Sequence, residues 1–197
     1  MTPFRHEALL YQDESEFLEG TLGFIGAGLA HDEAMLVVLA AEKNEMLKSE
    51  LGPDSARVQF ADMAEVGANP ARIIPAWQRF VDGCEAPEGR AFRGIGEPIW
   101  AERSPDELVE CQRHEALLNL AFADTRAFRL LCPYDTLALG PEVLDEAHRS
   151  HPSLVYGADE FPSEAYRDLD AVAAPFDSAL PEPATVLDEL AIEPGSL

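Results

Sequence analysis

Met35-Leu36-Val37-Val38-Leu39 is followed closely by Glu42-Lys43-Asn44-Glu45-Met46-Leu47-Lys48-Ser49-Glu50-Leu51 and then by Gly52-Pro53. An apolar run with no polar alternate reads as a central strand buried on both faces. The charged stretch from Glu42, closed by Gly-Pro, reads as a short surface helix. A strand without a wet face needs cover on both sides, so this pair predicts a sheet held between helical layers.

Working outward, Glu7 to Tyr11 predicts a first strand. Glu14 to Ala30 predicts a helix with Phe17, Thr21, Phe24, Ile25 and Gly28 on its sheet-facing side. Val58 to Ala61 predicts a third strand, and Asn69-Pro70 opens a helix running through Trp77 to Val81, where Pro75 is expected to kink it. Phe92 to Gly96 and Phe128 to Cys132 predict the fourth and fifth strands, each expected to stop abruptly at a proline within two residues. Between them Ser104 is placed to cap a helix reaching about Ala123, with Pro105 in its first turn and Glu107 completing a capping box. A last helix spans Pro141 to Arg149. The expected fold class is therefore α/β, a single three-layer domain with a mostly parallel sheet.

Residues 156–197 differ in character, with ten acidic side chains against the single basic Arg167, and five prolines. They read as an acidic tail or linker. Val186 to Pro194 regains strand-like alternation and then stops, which suggests a cut before another domain; the alternative is a tail that folds back through Phe161, Tyr166 and Phe176.

A length of 197 residues with 47% hydrophobic composition can bury one full core. No apolar stretch is long enough to span a bilayer, and the N-terminus lacks the pattern of an export signal. Cys84, Cys111 and Cys132 form no CxxC pair, so neither a disulfide framework nor a zinc knuckle is expected and a reducing cytoplasm fits. The formal charge of -23 repels phosphate backbones and anionic lipid. It excludes direct nucleic-acid binding, keeps the chain soluble and leaves a basic protein as the alternative partner.

Ligands of open parallel sheets bind beyond the carboxyl ends of the strands. Those positions hold Gln12 and Asp13, Asp62, Glu97, and Tyr134 with Asp135, so three carboxylates are expected to meet at one rim unless they are ordinary loop polarity. In the helix after Ser104, Glu115 and Asn119 interrupt the apolar face of Leu108, Cys111, Leu118 and Phe122. A buried carboxylate without company costs several kcal/mol, roughly 3–5 when a partner is stripped from it, so Glu115 must have partners or face a wet pocket. His114 is expected half-exposed at the edge of that face. Cys111, His114 and Cys132 only superficially suggest zinc, because their spacing is not diagnostic and packing is the default for buried cysteines. The glycines from Gly20 to Gly28 lack a phosphate-loop lysine and read as points of close helix–sheet approach.

His6-Glu7-Ala8-Leu9-Leu10-Tyr11, Gly94-Ile95-Gly96-Glu97-Pro98, Glu110-Cys111-Gln112-Arg113-His114-Glu115-Ala116-Leu117-Leu118-Asn119 and Cys132-Pro133-Tyr134-Asp135 together resemble the MEDS sensory domain over about residues 4–155. The resemblance implies a fold akin to RecA and KaiC ATPases that has lost the phosphate loop and catalysis with it. It also implies sensing of small organic compounds, in front of an output domain that in actinobacterial relatives is often an ATPase resembling anti-sigma-factor serine kinases.

The expectation from the chain is thus a non-catalytic regulatory input domain without a cofactor or metal site. Its expected partners are an unknown small organic ligand and a kinase, anti-sigma or other regulatory protein, with room for a homodimer. A pocket lined by Glu97, Glu115, Asn119 and Tyr134 is expected to bind the signal, with His6, Asp62, His114, Cys132 and Asp135 completing the candidate set. The rivals are an interaction module without a small ligand and a degenerate nucleotidase using Asp62, Glu97 and Asp135 around magnesium.

Overall fold

A computed structural model describes residues 4–83, 91–125 and 127–167. The chain divides into two units, Met1–Tyr166 and Arg167–Leu197, and the first holds every α-helix and strand among the described residues. In order these are β1 (Arg5–Tyr11), α1 (Glu14–Ala30), β2 (Ala34–Leu39), α2 (Ala41–Leu51), β3 (Gln59–Asp62), α3 (Met63–Val66) and α4 (Ile73–Gly83). There follow β4 (Phe92–Gly96), α5 (Pro105–Ala121), β5 (Phe128–Asp135), α6 (Pro141–Ser150), β6 (Ser153–Tyr156) and β7 (Asp159–Pro162).

The strands form one seven-stranded sheet in the order β3-β2-β4-β5-β1-β6-β7, parallel except for β7, which pairs antiparallel with β6. Alternate strand residues point to opposite faces. On one face Leu9, Tyr11, Val37 and Leu131 pack with Phe17, Phe24 and Ile25 of α1 and Leu47 of α2. On the other, Ala8, Leu10, Leu130, Cys132 and Tyr134 pack with Trp77 of α4, Cys111 and Leu118 of α5, and Val143 and Ala147 of α6. The sheet is therefore buried on both sides, as the run from Met35 to Leu39 requires.

Local chemistry sets the element ends. Asp13 caps α1 by accepting from the Glu16 amide. Ser104 and Glu107 close the predicted capping box on α5. Gly52, at φ +53, ends α2 in a conformation that L side chains rarely adopt. Gly20 and Gly28 let α1 sit close: a Cβ there would fall 2.5 Å from Leu9 Cδ1 and 2.8 Å from Met35 Sδ, whereas Gly23 and Gly26 face open space. Gly94 and Gly96 serve β4 in the same way, because the Trp77 indole lies across them at 2.7 and 2.8 Å from where a Cβ would be.

Three expectations need correction. Pro133 does not end β5, which runs on to Asp135; pairing to β4 stops at Leu131, so beyond it only the β1 side of β5 is laddered and a missing donor is tolerated. Pro75 produces no break in α4, because a 3-10 turn (Pro70–Arg72) leads in and Pro75 falls in the first turn, where amides lack intrahelical partners. The composition boundary at 155 falls inside the β6–β7 hairpin, so residues 156–162, read as tail, extend the sheet. Phe161 lies in that hairpin, and Cys84, Phe176 and the strand-like stretch 186–194 lie outside the described residues.

Candidate functional site

Beneath α5 and α6 the sheet buries a cluster of ionisable groups. His6 points from β1 toward these helices, on the same face as Ala8, and Cys132 lies opposite Ala8 on β5. Glu115 and Asn119 project from successive turns of α5, and His151 is the C-cap of α6. His6, Glu115, Cys132 and His151 are all at most 1% exposed. Their ligand atoms lie within 4.8 Å of one another, and they are the one group of three or more histidine, cysteine or acidic side chains so arranged among the described residues.

The contacts are specific. His6 Nε2 is 3.0 Å from Glu115 Oε2 and 3.3 Å from Cys132 Sγ. His151 Nε2 faces the same carboxylate oxygen at 3.3 Å without a hydrogen bond, and Glu115 Oε1 also has none. The two imidazole rings are 3.9 Å apart, centroid to centroid. Burial, and next the charge of His151, lower the His6 pKa to about 4 despite the opposing pull of Glu115. Burial pushes the Glu115 carboxyl up, but the close approach of the two imidazoles outweighs it and holds the carboxyl below the usual carboxylate range. Burial and the neighbouring Glu115 push the thiol of Cys132 and the phenol of Tyr134 up. Tyr134 sets its ring edge-on to His151, and its hydroxyl has no hydrogen-bond partner.

Glu97 does not join this cluster, contrary to the pocket expected from the sequence. It follows β4 and turns toward the α1–α2 face, where Tyr11 donates to its Oε1 at 2.8 Å and Lys43 of α2 reaches its two oxygens at 2.6 and 2.7 Å. Lys43 also donates to the Tyr11 hydroxyl at 2.7 Å, so the three groups satisfy one another. Burial raises the Glu97 pKa, with Lys43 opposing.

The other rim carboxylates do structural work. Asp62 caps α3 by accepting from the Ala64 amide, and Asp135 accepts from the amides of Leu137 and Ala138 in the turn after β5. No three-carboxylate site forms from Asp62, Glu97 and Asp135 among the described residues. His114 is buried rather than half-exposed, with its Nδ1 unpartnered. Cys111 and His114 stand outside the group that holds Cys132. Of the nine candidates, then, His6, Glu115, Asn119 and Cys132 come together, with Tyr134 against them.

His151, Tyr11 and Lys43 escaped the sequence reading. His151 precedes a proline just after the last predicted helix, and nothing in the sequence marks it as part of a site. Lys43 sits in a helix so charged that one ammonium has no distinguishing mark.

A separate cleft of about 600 Å³ opens beyond the carboxyl ends of β1 and β5. Leu10, Gln12 and Thr136 form its floor, α1 contributes Glu16 and Glu19, α6 contributes Leu144, Asp145 and His148, and Tyr156 with Gly157 closes one side. No lysine or arginine lines it. No helix among the described residues is long and apolar enough to cross a membrane.

Among solved structures, a KaiC-like protein from the hyperthermophilic archaeon Pyrococcus horikoshii is similar at 14% identity and a TM-score of 0.49, covering 76% of this chain and 69% of that one. No curated protein sequence matches the chain. The sequence profile of MEDS, the methanogen/methylotroph, DcmR sensory domain, matches residues 5–152, a span from β1 through α6 that contains the whole buried cluster, and the chain belongs to that family.

Proposed function

We propose that this chain is the sensory input domain of a signal-transduction protein, binding a neutral or cationic small organic molecule in the cleft beyond β1 and β5. The observation that carries the reading is that cleft: its volume, about 600 Å³, suits a small organic ligand, and it occupies the edge of a parallel sheet where ligands bind. Its charged lining is Glu16, Glu19 and Asp145, which repels phosphate and carboxylate and favours uncharged or positive compounds. Lys43, at the same end of the sheet, is committed to Glu97 and Tyr11 and is not offered to a nucleotide. The reading is accordingly non-catalytic.

Helix α6 gives a route from ligand to output. Leu144 and His148 face the cleft, while the Ala147 carbonyl and Ser150 on the same helix hold His151 in the buried cluster. A ligand that binds better to one position of α6 shifts the population toward that position, and an attached or associated kinase or anti-sigma protein reads the shift.

A thermal-shift screen of neutral and cationic organic compounds tests this. A ligand at about 100 times its Kd adds about 2.7 kcal/mol of stability. Replacing His148 and Tyr156 with alanine should remove the shift while leaving the circular dichroism spectrum intact. Hits that ignore both substitutions, or a preference for nucleotides over organic cations, would overturn the proposal.

A further inference from the structure

The two histidines of the buried cluster have settled tautomers. Asn119 Nδ2 donates to the Ser150 carbonyl at 2.7 Å, which turns its Oδ1 toward His6 Nδ1 at 3.3 Å, so that nitrogen carries the proton. His151 Nδ1 lies 2.8 Å from the Ala147 carbonyl, an acceptor only, so its proton is there too. Ser150 Oγ, 3.0 Å from the same nitrogen, spends its own proton on the Glu146 carbonyl and can only accept.

Both Nε2 atoms therefore present lone pairs, and both present them to one oxygen of Glu115 at 3.0 and 3.3 Å. With the carboxyl ionised, three acceptors meet, and the Cys132 thiol, 3.3 Å from His6 Nε2, has a single proton to offer among them. Protonating one imidazole still leaves the other lone pair against the carboxylate. Protonating both puts two cations 3.9 Å apart, with no water reaching them.

We propose that His6 Nε2, His151 Nε2, Glu115 and Cys132 Sγ bind a single tetrahedral divalent transition-metal ion of zinc's class. Bonds of about 2.0–2.3 Å to nitrogen, oxygen and sulfur give a tetrahedron whose edges are about 3.3–3.7 Å. The observed separations of 3.0, 3.3 and 3.3 Å lie at or just under these edges, and pairs that stand as far apart as 4.8 Å must close by about 1 Å as the side chains gather on the ion. Charge balances as well: two neutral imidazoles, one carboxylate and one thiolate offset a divalent ion, which a wholly buried site demands. The ion displaces the thiol proton, as a coordinated sulfur is deprotonated outright.

The surroundings supply what metal-binding histidines use elsewhere. Each imidazole hands its second N–H to an oxygen acceptor, Asn119 for His6 and the Ala147 carbonyl for His151, which fixes ring orientation. Four protein ligands in a closed site mark a structural or state-reporting ion rather than one that activates water. The ion would clamp β1, β5, α5 and α6 together, so its binding energy adds to folding energy. The site stands independently of a ligand in the cleft.

The test uses the full chain with any affinity tag removed, unfolded with chelator and refolded with or without Zn²⁺ or Co²⁺, since a closed site loads on folding. One equivalent of metal should survive gel filtration. The cobalt form should show sulfur-to-cobalt charge transfer and the visible bands of a tetrahedral centre. Cys132→Ser should lose the charge-transfer band and Cys111→Ser should keep it. Asn119→Ala, which frees the His6 ring, should weaken affinity about 10- to 100-fold. Folded wild-type protein that retains no metal and shows no cobalt spectrum, or a charge-transfer band unchanged in Cys132→Ser, would overturn the site. Either result would leave the cleft and its ligand screen untouched.

Discussion

Glu97 and Glu115 are both buried glutamates, one on each side of the same sheet, and their surroundings solve the problem of a buried charge differently. Glu97 has an ammonium: Lys43 reaches both carboxylate oxygens, and Tyr11 bonds to one of them and to the lysine. Glu115 has two imidazoles whose free nitrogens carry no proton, and one of its oxygens has no partner. The first is a finished ion pair, closed within the chain. The second gathers lone pairs around the carboxylate, an arrangement that the proposed metal ion would satisfy. A buried carboxylate thus marks a binding site when the groups around it are acceptors, and a scaffold when they are donors.

The sharpest way to break this comparison is to strip the cation from Glu97. Lys43→Met should destabilise the domain by about 3 kcal/mol in urea unfolding, the lower end for orphaning a buried charge because Lys43 is itself 29% exposed. Adding Glu97→Gln to it should recover part of that loss. The pH dependence has a definite sign. The folded Glu97 carboxyl titrates above its ordinary value of 4.5, so its contribution is fully present below that value and is lost as pH rises through the folded pKa. Without Lys43 to oppose burial the folded value climbs further, and the deficit of Lys43→Met should shrink as pH falls through that raised value toward the ordinary carboxylate range.

A smaller effect sharpens the contrast between the two glutamates. Glu97→Gln exchanges charge-assisted bonds for neutral ones and should cost about 1.5–3 kcal/mol. Glu115→Gln in chelator-treated protein supplies an N–H₂ donor to the two bare Nε2 atoms and should cost less than about 1 kcal/mol. Equal costs in urea titrations would dissolve the distinction. The smallest effect is a null one. Burial pushes the Cys111 thiol up to about 11, against a weaker pull from Arg103, so iodoacetamide at neutral pH should leave Cys111 unmodified until the protein unfolds, as read by peptide mass spectrometry.

The sheet was largely readable because its strands are short apolar runs bounded by turn chemistry, and because Ser104-Pro105 and Gly52-Pro53 punctuate helices unambiguously. The β6–β7 hairpin was not, since β7 is wholly exposed and Asp159-Glu160 looks like acidic tail whether or not it pairs with a strand. Half of the buried cluster could be inferred from helical phase, which places Glu115 and Asn119 inward whatever they meet. What they meet depends on which strands lie beneath α5 and on where α6 ends. His6 and His151 are 145 positions apart, and no local pattern joins them. Phase likewise could not assign Glu97 to a face of the sheet, because that depends on the turn after Gly96 and on the reach of one lysine from α2.

The Trp77 indole seated over Gly94 and Gly96 gives the protein an internal optical gauge. Trp77 and Trp100 are its two tryptophans, the former 2% exposed and the latter stacked at 3.8 Å beneath the Arg103 guanidinium. Emission from the first is shielded from aqueous quenchers such as iodide, while the second lies nearer the solvent. A Trp100→Phe protein would therefore report, through a single chromophore, any widening between α4 and the sheet.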